Sequence, residues 1–408
     1  MELVKARLMS LSIYKNILET PAVAALLHLS EAKTPDGMIE SYTGFIHSVY
    51  RAGFENLEDY LGWHLKFDES FIGEAVASGT ASESLMAAAA MDIRTLSEVG
   101  GLDCSALKAT IHDAGVWQNR DYGPIVGNLA ELPLGTPFTP EEIFESYRTR
   151  GCGMFALGRA FRWEKGELTP VRHPDRIRSE DMIGYELQRR AVAENTRALL
   201  RGRPANNVLL YGDSGTGKSA TVKSLLNIPE FYNLRLIEIA KNSLDELGQV
   251  ERLVGSHTQK FILYIDDLSF DQQDKGFSAL KTALEGGLER RPDNVAIYAT
   301  SNRRHMIRER FSDRQGDDVH ARETLEEHTS LSERFGIRLS YLALNKRDYT
   351  DMVLELCRRE GIDMEEEAIR TAANQWELRH GGRTPRVAVQ LVEKLAGEAG
   401  LRQEAARE

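Results

Sequence analysis

The chain has 408 residues, 42% hydrophobic and 28% charged, a composition that suits two to three globular domains. Its formal net charge of −11 argues against a broad, sequence-independent grip on nucleic acid or on an anionic membrane. Three scattered cysteines without CxxC spacing and the lack of an apolar run of about 18 residues give no disulfide, zinc or membrane signal, so we expect a cytoplasmic protein.

Residues 1–165 predict a mainly helical domain, to which the sequence assigns no role. Apolar residues recur at helical spacing, as at Ile39, Tyr42 and Ile46, and the alanine run 87–90 adds helix propensity. We find no catalytic motif in this region.

Three local signals lie towards the end of this domain and just beyond it. Thr139 and Pro140 with two first-turn acids predict a helix that runs to about Arg150. The following segment, residues 151–171, predicts a small hairpin that turns near Lys165. From Ser179 a helix-forming stretch leads into the first strong strand.

Short apolar strands alternate with helices from residue 166 to residue 345. The predicted strands are Val208–Tyr211, Leu234–Ala240, Phe261–Ile265, Val295–Thr300 and Ile337–Leu344. Strands that are apolar throughout and separated by helices predict an α/β domain with a parallel sheet covered on both faces. Residues 346–408 are predicted to be helical throughout, with apolar residues at core spacing.

A glycine-rich octapeptide lies between the first of these strands and the following helix. It matches the P-loop pattern with Gly212, Asp213, Ser214, Gly215, Thr216, Gly217, Lys218 and Ser219. In this pattern backbone amides at a helix N-terminus converge on phosphate oxygens, the lysine reaches the β- and γ-phosphates, and the serine hydroxyl is a ligand of Mg²⁺. The alternative is an ordinary Gly/Ser turn between a strand and a helix.

Two acids end the strand Phe261–Ile265. In a P-loop fold we expect this strand to lie beside the first one, so that Asp266 is near the Mg²⁺ held by Ser219. Asp267 is then the candidate that orients or deprotonates the attacking water. The alternative is a pair of acids that caps the next helix.

Three further polar residues stand at strand or helix ends. Asn302 follows the strand Val295–Thr300 and is a candidate for holding the attacking water, or else a turn asparagine. Arg334 precedes the last strand, and its planar charged fork suits phosphate or, alternatively, a surface ion pair. Arg386 lies in the first turn of a helix with Pro385 at its start, from where it is a candidate for contacting the nucleotide, with Arg383 as the competing choice.

These five segments, in this order, resemble those of the AAA+ ATPases. Over residues 168–396 the chain resembles, more closely, one uncharacterised bacterial AAA+ family, the domain of unknown function 815 family, through segments such as GDSGTGKS, FILYIDDLSF, SLSERFG and GGRTPRVA. The resemblance implies a P-loop core with a five-stranded parallel sheet, a C-terminal helical lid, and binding of ATP with Mg²⁺. It also implies that Asn302 is the sensor-1 residue, Arg334 an arginine finger that acts on a neighbouring subunit, and Arg386 the sensor-2 residue.

The chain departs from the common AAA+ pattern at one position. Asp267 stands where most AAA+ proteins have glutamate, and its side chain is one methylene shorter. The bacterial replication initiator carries a similar pair of aspartates and is a slow, switch-like ATPase. We therefore expect slow hydrolysis.

Two functions remain in competition at this point, with a small-molecule kinase as a less favoured third. The first is a homo-oligomeric ATPase that remodels or loads a macromolecular partner, and the second is an ATP-gated binding scaffold with little hydrolysis. The basic run at Arg303, Arg304 and His305 leaves nucleic acid as a less favoured partner than protein. The stretch 312–327 is rich in Asp, Glu and Gly and predicts a surface loop.

Overall fold

The structure is a computed structural model. It describes residues 1–118, 121–268, 275–285, 291–302 and 331–405. The basic run that begins at Arg303, the stretch 312–327 and Ser330 lie outside the described residues. The chain divides into two compact units, Met1–Leu157 and Gly158–Glu408.

The first unit consists of helices over its described residues. They are α1 Glu2–Met9, α2 Pro21–Glu31, α3 Pro35–Arg51, α4 Leu57–Phe67, α5 Phe71–Ser78, α6 Glu83–Gly100, α7 Cys104–Trp117, α8 Gly123–Gly127, α9 Pro140–Arg150 and α10 Met154–Leu157, with a 3₁₀ turn at Lys15–Glu19. The predicted start and end of α9 are confirmed, and Thr139 and Glu142 form a capping box at its start. Aromatic and aliphatic side chains of α3, such as Tyr42, Phe45 and Val49, are buried in the core of this unit.

The predicted hairpin is present, but it belongs to the second unit. Strand β1, Ala160–Glu164, pairs antiparallel with β2, Glu167–Pro170, and parallel with a strand of the central sheet. The boundary predicted at residue 165 therefore falls inside the hairpin, whereas the compact units divide after Leu157. Backbone hydrogen bonds along β1 hold the hairpin to the sheet, and sequence spacing gives no signal of that pairing.

Over the described residues, the central sheet has seven strands rather than the five predicted. The remaining strands are β3 Val208–Gly212, β4 Leu234–Ile239, β5 Lys260–Ile265, β6 Val295–Ser301 and β7 Ile337–Tyr341. Their order is β2-β1-β4-β5-β6-β3-β7, in which β4-β5-β6-β3-β7 are parallel and the hairpin adds two strands at one edge. Strands β5 and β6 are buried almost throughout, as strands covered on both faces must be.

This order corrects one expectation about the site. The strand that ends in the two aspartates, β5, does not lie beside β3, because β6 lies between them. Strand β7 is also shorter than predicted. It ends at Tyr341, since the amide of Leu344 donates to the carbonyl of Arg383 instead of extending the strand.

Helices and short 3₁₀ turns accompany the sheet in the second unit. The helices are α11 Glu186–Leu200, α12 Lys218–Ser224, α13 Leu247–Gly255, α14 Lys275–Glu285, α15 Lys346–Arg359, α16 Glu366–His380 and α17 Pro385–Ala405, and the 3₁₀ turns are Leu225–Asn227, Pro229–Phe231 and Lys241–Glu246. The helix predicted from Ser179 begins only at Glu186, because Gly184 and Tyr185 have φ values of 79° and 58°. Positive φ cannot continue a right-handed helix.

The last three helices, α15 to α17, pack around a small apolar core of their own. Tyr349, Val353 and Cys357 of α15 are buried there with Ala373 of α16 and Leu391 of α17. We call α15 to α17 the lid. In the part of the chain that the structure describes, no helix is long and apolar enough to cross a membrane.

Candidate functional site

Most of the predicted site residues gather at the carboxyl edge of the parallel sheet. Strands β3, β5 and β6 all end there, with Tyr211 opposite Ser301 and Ile265 opposite Ala299 in the register. Each strand is followed directly by candidate residues, so the parallel arrangement brings segments together that are distant in sequence. The carboxyl edge of an open α/β sheet is where such folds bind ligands.

The octapeptide Gly212–Ser219 forms a turn that requires glycine. Gly212 has a φ of 136°, and a Cβ atom there would lie 2.1 Å from the carbonyl oxygen of Tyr341. Gly215 has a φ of 76°, and a Cβ atom there would lie 3.1 Å from Thr384 Oγ1 and 3.2 Å from Arg386 Cβ. At these glycines the loop is therefore bare backbone that closes against both β7 and the lid.

Lys218 is the buried first residue of α12, 5% exposed. Its Nζ donates to the carbonyl oxygens of Gly212 at 3.1 Å and Asp213 at 2.6 Å. Burial lowers the pKa of the ammonium, although the nearby carboxylates, first that of Asp213, act in the opposite direction. The lysine is held inside its own loop by two neutral acceptors that an anion can replace.

Ser219 and Asp266 meet at the carboxyl edge of the sheet. Ser219 Oγ donates to Asp266 Oδ1 at 2.7 Å, and Thr300 Oγ1 on the intervening strand β6 donates to the same oxygen at 2.7 Å. Burial acts to raise the pKa of Asp266, but hydrogen bonds to the carboxylate, first that from Thr300, hold the pKa below its usual value. Asp266 is thus an ionised carboxylate beside the octapeptide Gly212–Ser219, which we call the phosphate loop.

Asp267 adopts a left-handed backbone conformation, with a φ of 53°. Its amide donates to Thr300 Oγ1 at 2.9 Å, which fixes the turn after β5. Its carboxylate accepts from Asn302 Nδ2 at 2.7 Å and from Lys241 Nζ at 3.2 Å. The side chains of Lys241 and Asp267 are about half exposed, so this ion pair is open to solvent.

Lys241 is a residue that the motif search did not identify. It is the first residue after the predicted strand Leu234–Ala240, and β4 pairs with β5, so it reaches the carboxyl edge beside Asp267. The position of Lys241 directly after a predicted strand can be read from the sequence. The strand order, which makes Lys241 a neighbour of Asp267, cannot be read from the sequence.

The structure distinguishes the two candidate arginines of the lid. Arg383 Nε donates to Glu377 Oε1 within the lid. Arg386 lies over the phosphate loop, where its amide donates to the carbonyl of Gly215 at 3.2 Å. The Cβ of Arg386 would lie 3.2 Å from a Cβ atom added to Gly215, so its side chain starts directly beside the loop. Arg386 is therefore the lid arginine beside the loop.

A second region that the motif search did not identify is the segment before α11. The Cε of Met182 would meet a Cβ atom added to Gly217 at 3.4 Å, and Ile183 packs against the lid core. Tyr185 stacks on Tyr341 with ring centroids 4.8 Å apart and donates to the carbonyl of Leu342. The run Asp181–Tyr185 thus joins the phosphate loop to the lid, and its Gly184 is the signal in the sequence of a break in the helix.

Arg334 lies away from the other candidates. It precedes β7, while the phosphate loop follows β3, and the two strands are parallel with Val208 opposite Ile337. The five-residue strand β7 therefore separates Arg334 from the loop by about 16 Å or more. The structure does not bring Arg334 to the site of its own chain.

Magnesium and a triphosphate fit these residues chemically. Mg²⁺ prefers oxygen ligands and in nucleotide sites takes one or two of them from the protein, with phosphate oxygens and water supplying the rest. Ser219 Oγ and Asp266 Oδ1 are two such oxygens, 2.7 Å apart. The glycine backbone of the loop and the buried charge of Lys218 suit phosphate.

The comparison with family models assigns the chain to a protein family. Residues 157–399, more than half of the chain, match the model described as "Protein of unknown function (DUF815)". The chain belongs to this family. The prediction of the DUF815 family is confirmed, and the family segment lies almost wholly in the second unit, which carries the candidate site. No curated protein matches the chain.

Solved structures of RuvB from Thermotoga maritima are similar to this DUF815 chain. One point variant of RuvB is 19% identical and has a TM-score of 0.38, with 53% of this chain and 64% of that chain covered. The structure described as the Holliday junction branch migration motor is 17% identical, with the same TM-score and 63% of its chain covered. The DUF815 chain thus spans less than two thirds of RuvB, and branch migration is a property stated of RuvB.

Proposed function

We propose that this DUF815 protein binds ATP with Mg²⁺ at Gly212–Ser219 and hydrolyses it slowly, as a homo-oligomer that remodels or loads a macromolecular partner. The observation that carries the proposal is the contact between Ser219 and Asp266 at 2.7 Å, directly beside the phosphate loop. A serine from a P-loop and an aspartate at the end of a strand of the same sheet are the protein ligands that nucleotide-bound Mg²⁺ requires. A cytoplasmic location fits this chemistry.

Each residue has a role in this proposal that follows from its position. The loop amides and Lys218 bind the phosphates, and Lys218 exchanges its two carbonyl acceptors for phosphate oxygens. Ser219 and Asp266 hold Mg²⁺, which supplies charge neutralisation at the β- and γ-phosphates. Arg386 contacts the phosphates from the lid, because its backbone is already bonded to Gly215.

Asp267 and Asn302 act on the attacking water in this proposal. Both side chains lie at the carboxyl edge and are bonded to each other at 2.7 Å, so one water can contact both. The ammonium of Lys241 competes with that water for the carboxylate. This competition, together with the short aspartate side chain, supports slow hydrolysis.

Arg334 would then act on the nucleotide of a neighbouring subunit. The length of β7 between Arg334 and the phosphate loop supports this role, because the arginine does not reach the site of its own chain. An arginine finger supplied by another molecule stabilises the charge of the transition state. Such a residue makes hydrolysis depend on assembly.

Magnesium-dependent ATP titration and steady-state phosphate release test the proposal. We expect wild-type protein to bind ATP in the presence of Mg²⁺ and to release phosphate slowly. Asp267→Asn should keep ATP affinity within about threefold and lower turnover by about a hundredfold, the range typical of general base removal. Folded wild-type protein without affinity for ATP and Mg²⁺ would defeat the proposal as a whole.

The second candidate function is an ATP-gated scaffold with little hydrolysis. The engagement of both carboxylate oxygens of Asp267, one by Asn302 and one by Lys241, is the observation that favours it. Phosphate release that stays at background with and without added partners, while ATP binding changes partner affinity, would select the scaffold. Turnover that rises when a partner is added would select the ATPase.

The partner is to be identified with protein held in the ATP-bound state. Asp267→Asn protein with ATP should retain a macromolecule in an affinity pull-down, and the same protein without nucleotide is the control. We expect a protein partner rather than nucleic acid, because the net charge is −11. Nuclease treatment of the retained material distinguishes these two classes.

A further inference from the structure

Asp213 makes more contacts than the P-loop pattern requires of its second residue. Its amide donates to the carbonyl of Tyr341 at 2.9 Å, and its own carbonyl accepts from Lys218 Nζ at 2.6 Å and from Thr216 Oγ1 at 2.7 Å. Its carboxylate Oδ2 accepts from the amide of Ala343 at 2.7 Å. One residue thus contacts both the phosphate-binding lysine and the chain that leads to the lid.

The chain between β7 and α15, residues 342–345, is the connector from the sheet to the lid. The carbonyl of Leu342 accepts from the hydroxyl of Tyr185, and the amide of Leu344 donates to the carbonyl of Arg383 at 2.9 Å. The connector is therefore bonded on one side to the phosphate loop through Asp213 and on the other to the lid residue three positions before Arg386.

A second bond joins the loop to the lid directly. The carbonyl of Gly215 accepts from the amide of Arg386, so two loop residues that are two positions apart hold both the connector and the start of α17. When Lys218 turns towards phosphate, the carbonyl of Asp213 loses its charged donor. The carboxylate bond to Ala343 then remains as the side-chain contact of Asp213 that holds the connector to the loop.

We propose that Asp213 is a positioning residue whose carboxylate sets the connector, and through it places Arg386 over the phosphates. This inference rests on the proposed function, since Arg386 has this purpose only if the loop binds a nucleotide. It adds a role for the side chain of a residue whose backbone is already part of the loop. The carboxylate of Asp213 acts through Arg386 and does not itself contact the substrate.

Two variants separate the hydrogen bond from the charge of Asp213. Asp213→Asn keeps an oxygen that can accept from the amide of Ala343 but removes the negative charge beside Lys218. Asp213→Ala removes both. If the hydrogen bond to Ala343 is what places Arg386, Asp213→Asn should keep the ATP affinity that Asp213→Ala loses.

The test is a double-mutant cycle read as ATP affinity in the presence of Mg²⁺. We expect Arg386→Ala to raise the Kd for ATP about tenfold and Asp213→Ala to raise it about fivefold, with Asp213→Asn within about twofold of wild type. In the Arg386→Ala background, Asp213→Ala should add less than about twofold. Asp363→Ala, at an exposed position in the loop after α15, is the matched control and should leave the Kd unchanged.

Hydrogen exchange at the amide of Ala343 checks the bond itself without nucleotide. Exchange should be faster in Asp213→Ala than in wild type and restored in Asp213→Asn. Fully multiplicative effects of Asp213→Ala and Arg386→Ala, or an asparagine variant as weak as the alanine variant, would overturn the inference while ATP binding by wild type stands. Wild-type protein that does not bind ATP defeats the proposed function first, and this inference with it.

Discussion

Asparagine stands at both ends of β6, and the two residues have opposite surroundings. Asn294, before the strand, is 6% exposed, and its side-chain amide donates to three backbone carbonyls, among them that of His257 at 2.8 Å. Asn302, after the strand, is exposed, and its side-chain amide donates to the carboxylate of Asp267 at 2.7 Å. The first amide is enclosed by backbone, whereas the second is bonded to a group that can exchange partners with solvent.

The same difference extends along the two edges of the sheet. At the amino edge, Asn207 Oδ1 accepts from Arg291 and from the amide of Ile297, so polar groups there join backbone segments of the core. At the carboxyl edge, Lys218 is bonded to carbonyls of its own glycine-rich loop, and Asp267 to a half-exposed lysine. Hydrogen bonds that link core segments stabilise the fold, and those that a ligand can replace at little cost form a site.

Substitution of Arg334 has the largest expected effect on turnover, because in the proposed oligomer this residue would join the amino edge of one subunit to the carboxyl edge of the next. It lies at the amino edge, yet in an oligomer it would complete the carboxyl edge of a neighbour. We expect Arg334→Ala to lower phosphate release about a thousandfold, as the loss of an arginine finger does. Mixing Arg334→Ala with Lys218→Ala subunits should restore activity, because each supplies what the other lacks. Mixed subunits that stay inactive, from a protein that remains monomeric with ATP, would contradict a role in a neighbouring subunit.

The two asparagines of β6 provide the next test. Asn302→Ala should lower turnover by about tenfold to a hundredfold, since it removes a group that orients the water, and should change the free energy of unfolding little. Asn294→Ala should lower the free energy of unfolding by about 2 kcal/mol, because three backbone carbonyls lose their donor, while ATP affinity of the folded protein is kept. Chemical denaturation and phosphate release measure both. If Asn302→Ala and Asn294→Ala lowered turnover equally, the carboxyl edge would not differ from the amino edge in its importance for hydrolysis.

The contribution of Asp266, at the carboxyl edge, to the free energy of unfolding should depend on pH. Its pKa is lowered in the folded protein, so the stabilisation it provides is present above the unfolded pKa of about 3.9 and is lost as the pH falls through the lower folded value. Asp266→Asn should therefore be less stable than wild type at neutral pH by on the order of 1 kcal/mol, after allowance for solvent screening. The difference should shrink below about pH 4. Urea denaturation of both proteins from about pH 3 to about pH 7, with Asp363→Asn as a surface control, measures it.

Substitution of Lys241 has the smallest expected effect on turnover. The exposed ion pair with Asp267 is worth at most about 1 kcal/mol, so Lys241→Ala should raise turnover up to about fivefold by releasing the carboxylate. The increase should diminish at high salt, because salt screens the pair in wild type as well. Steady-state phosphate release at low and high ionic strength measures this. A large fall in turnover would instead make Lys241 a residue that the reaction needs.

Much of the arrangement of the candidate site was predictable because most of its residues lie in short segments of sequence. The glycines, Lys218 and Ser219 lie in one octapeptide whose backbone shape is dictated by φ values that favour glycine, as at Gly212. Strand β5 is predicted from five consecutive apolar residues, and it ends at Ile265, directly before the two aspartates. Residues directly after a buried strand of a parallel sheet must lie at the carboxyl edge of that sheet.

The differences between the fold predicted from the sequence and the structure arise mainly from pairings between segments that are distant in sequence. The hairpin strand β1 joins β4 by backbone hydrogen bonds that no spacing rule encodes, which gives seven strands instead of five. Strands β3 and β5 were predicted to be neighbours, but β6 lies between them, so that Thr300 reaches Asp266. The segment Asp181–Tyr185 lies in a stretch predicted to be helical, although Tyr185 has a positive φ and contacts β7.

By itself, the sequence determined most of the candidate residues for the chemistry, since residue type, glycine conformational freedom and apolar runs are properties of short segments. Tertiary structure decided which of them meet. Lys241 joins Asp267, Arg386 rather than Arg383 lies over the phosphate loop, and Asp213 is bonded to Ala343. These contacts depend on the strand order and on the packing of the lid, which arise from burial of surface across the whole unit rather than from any single stretch of chain.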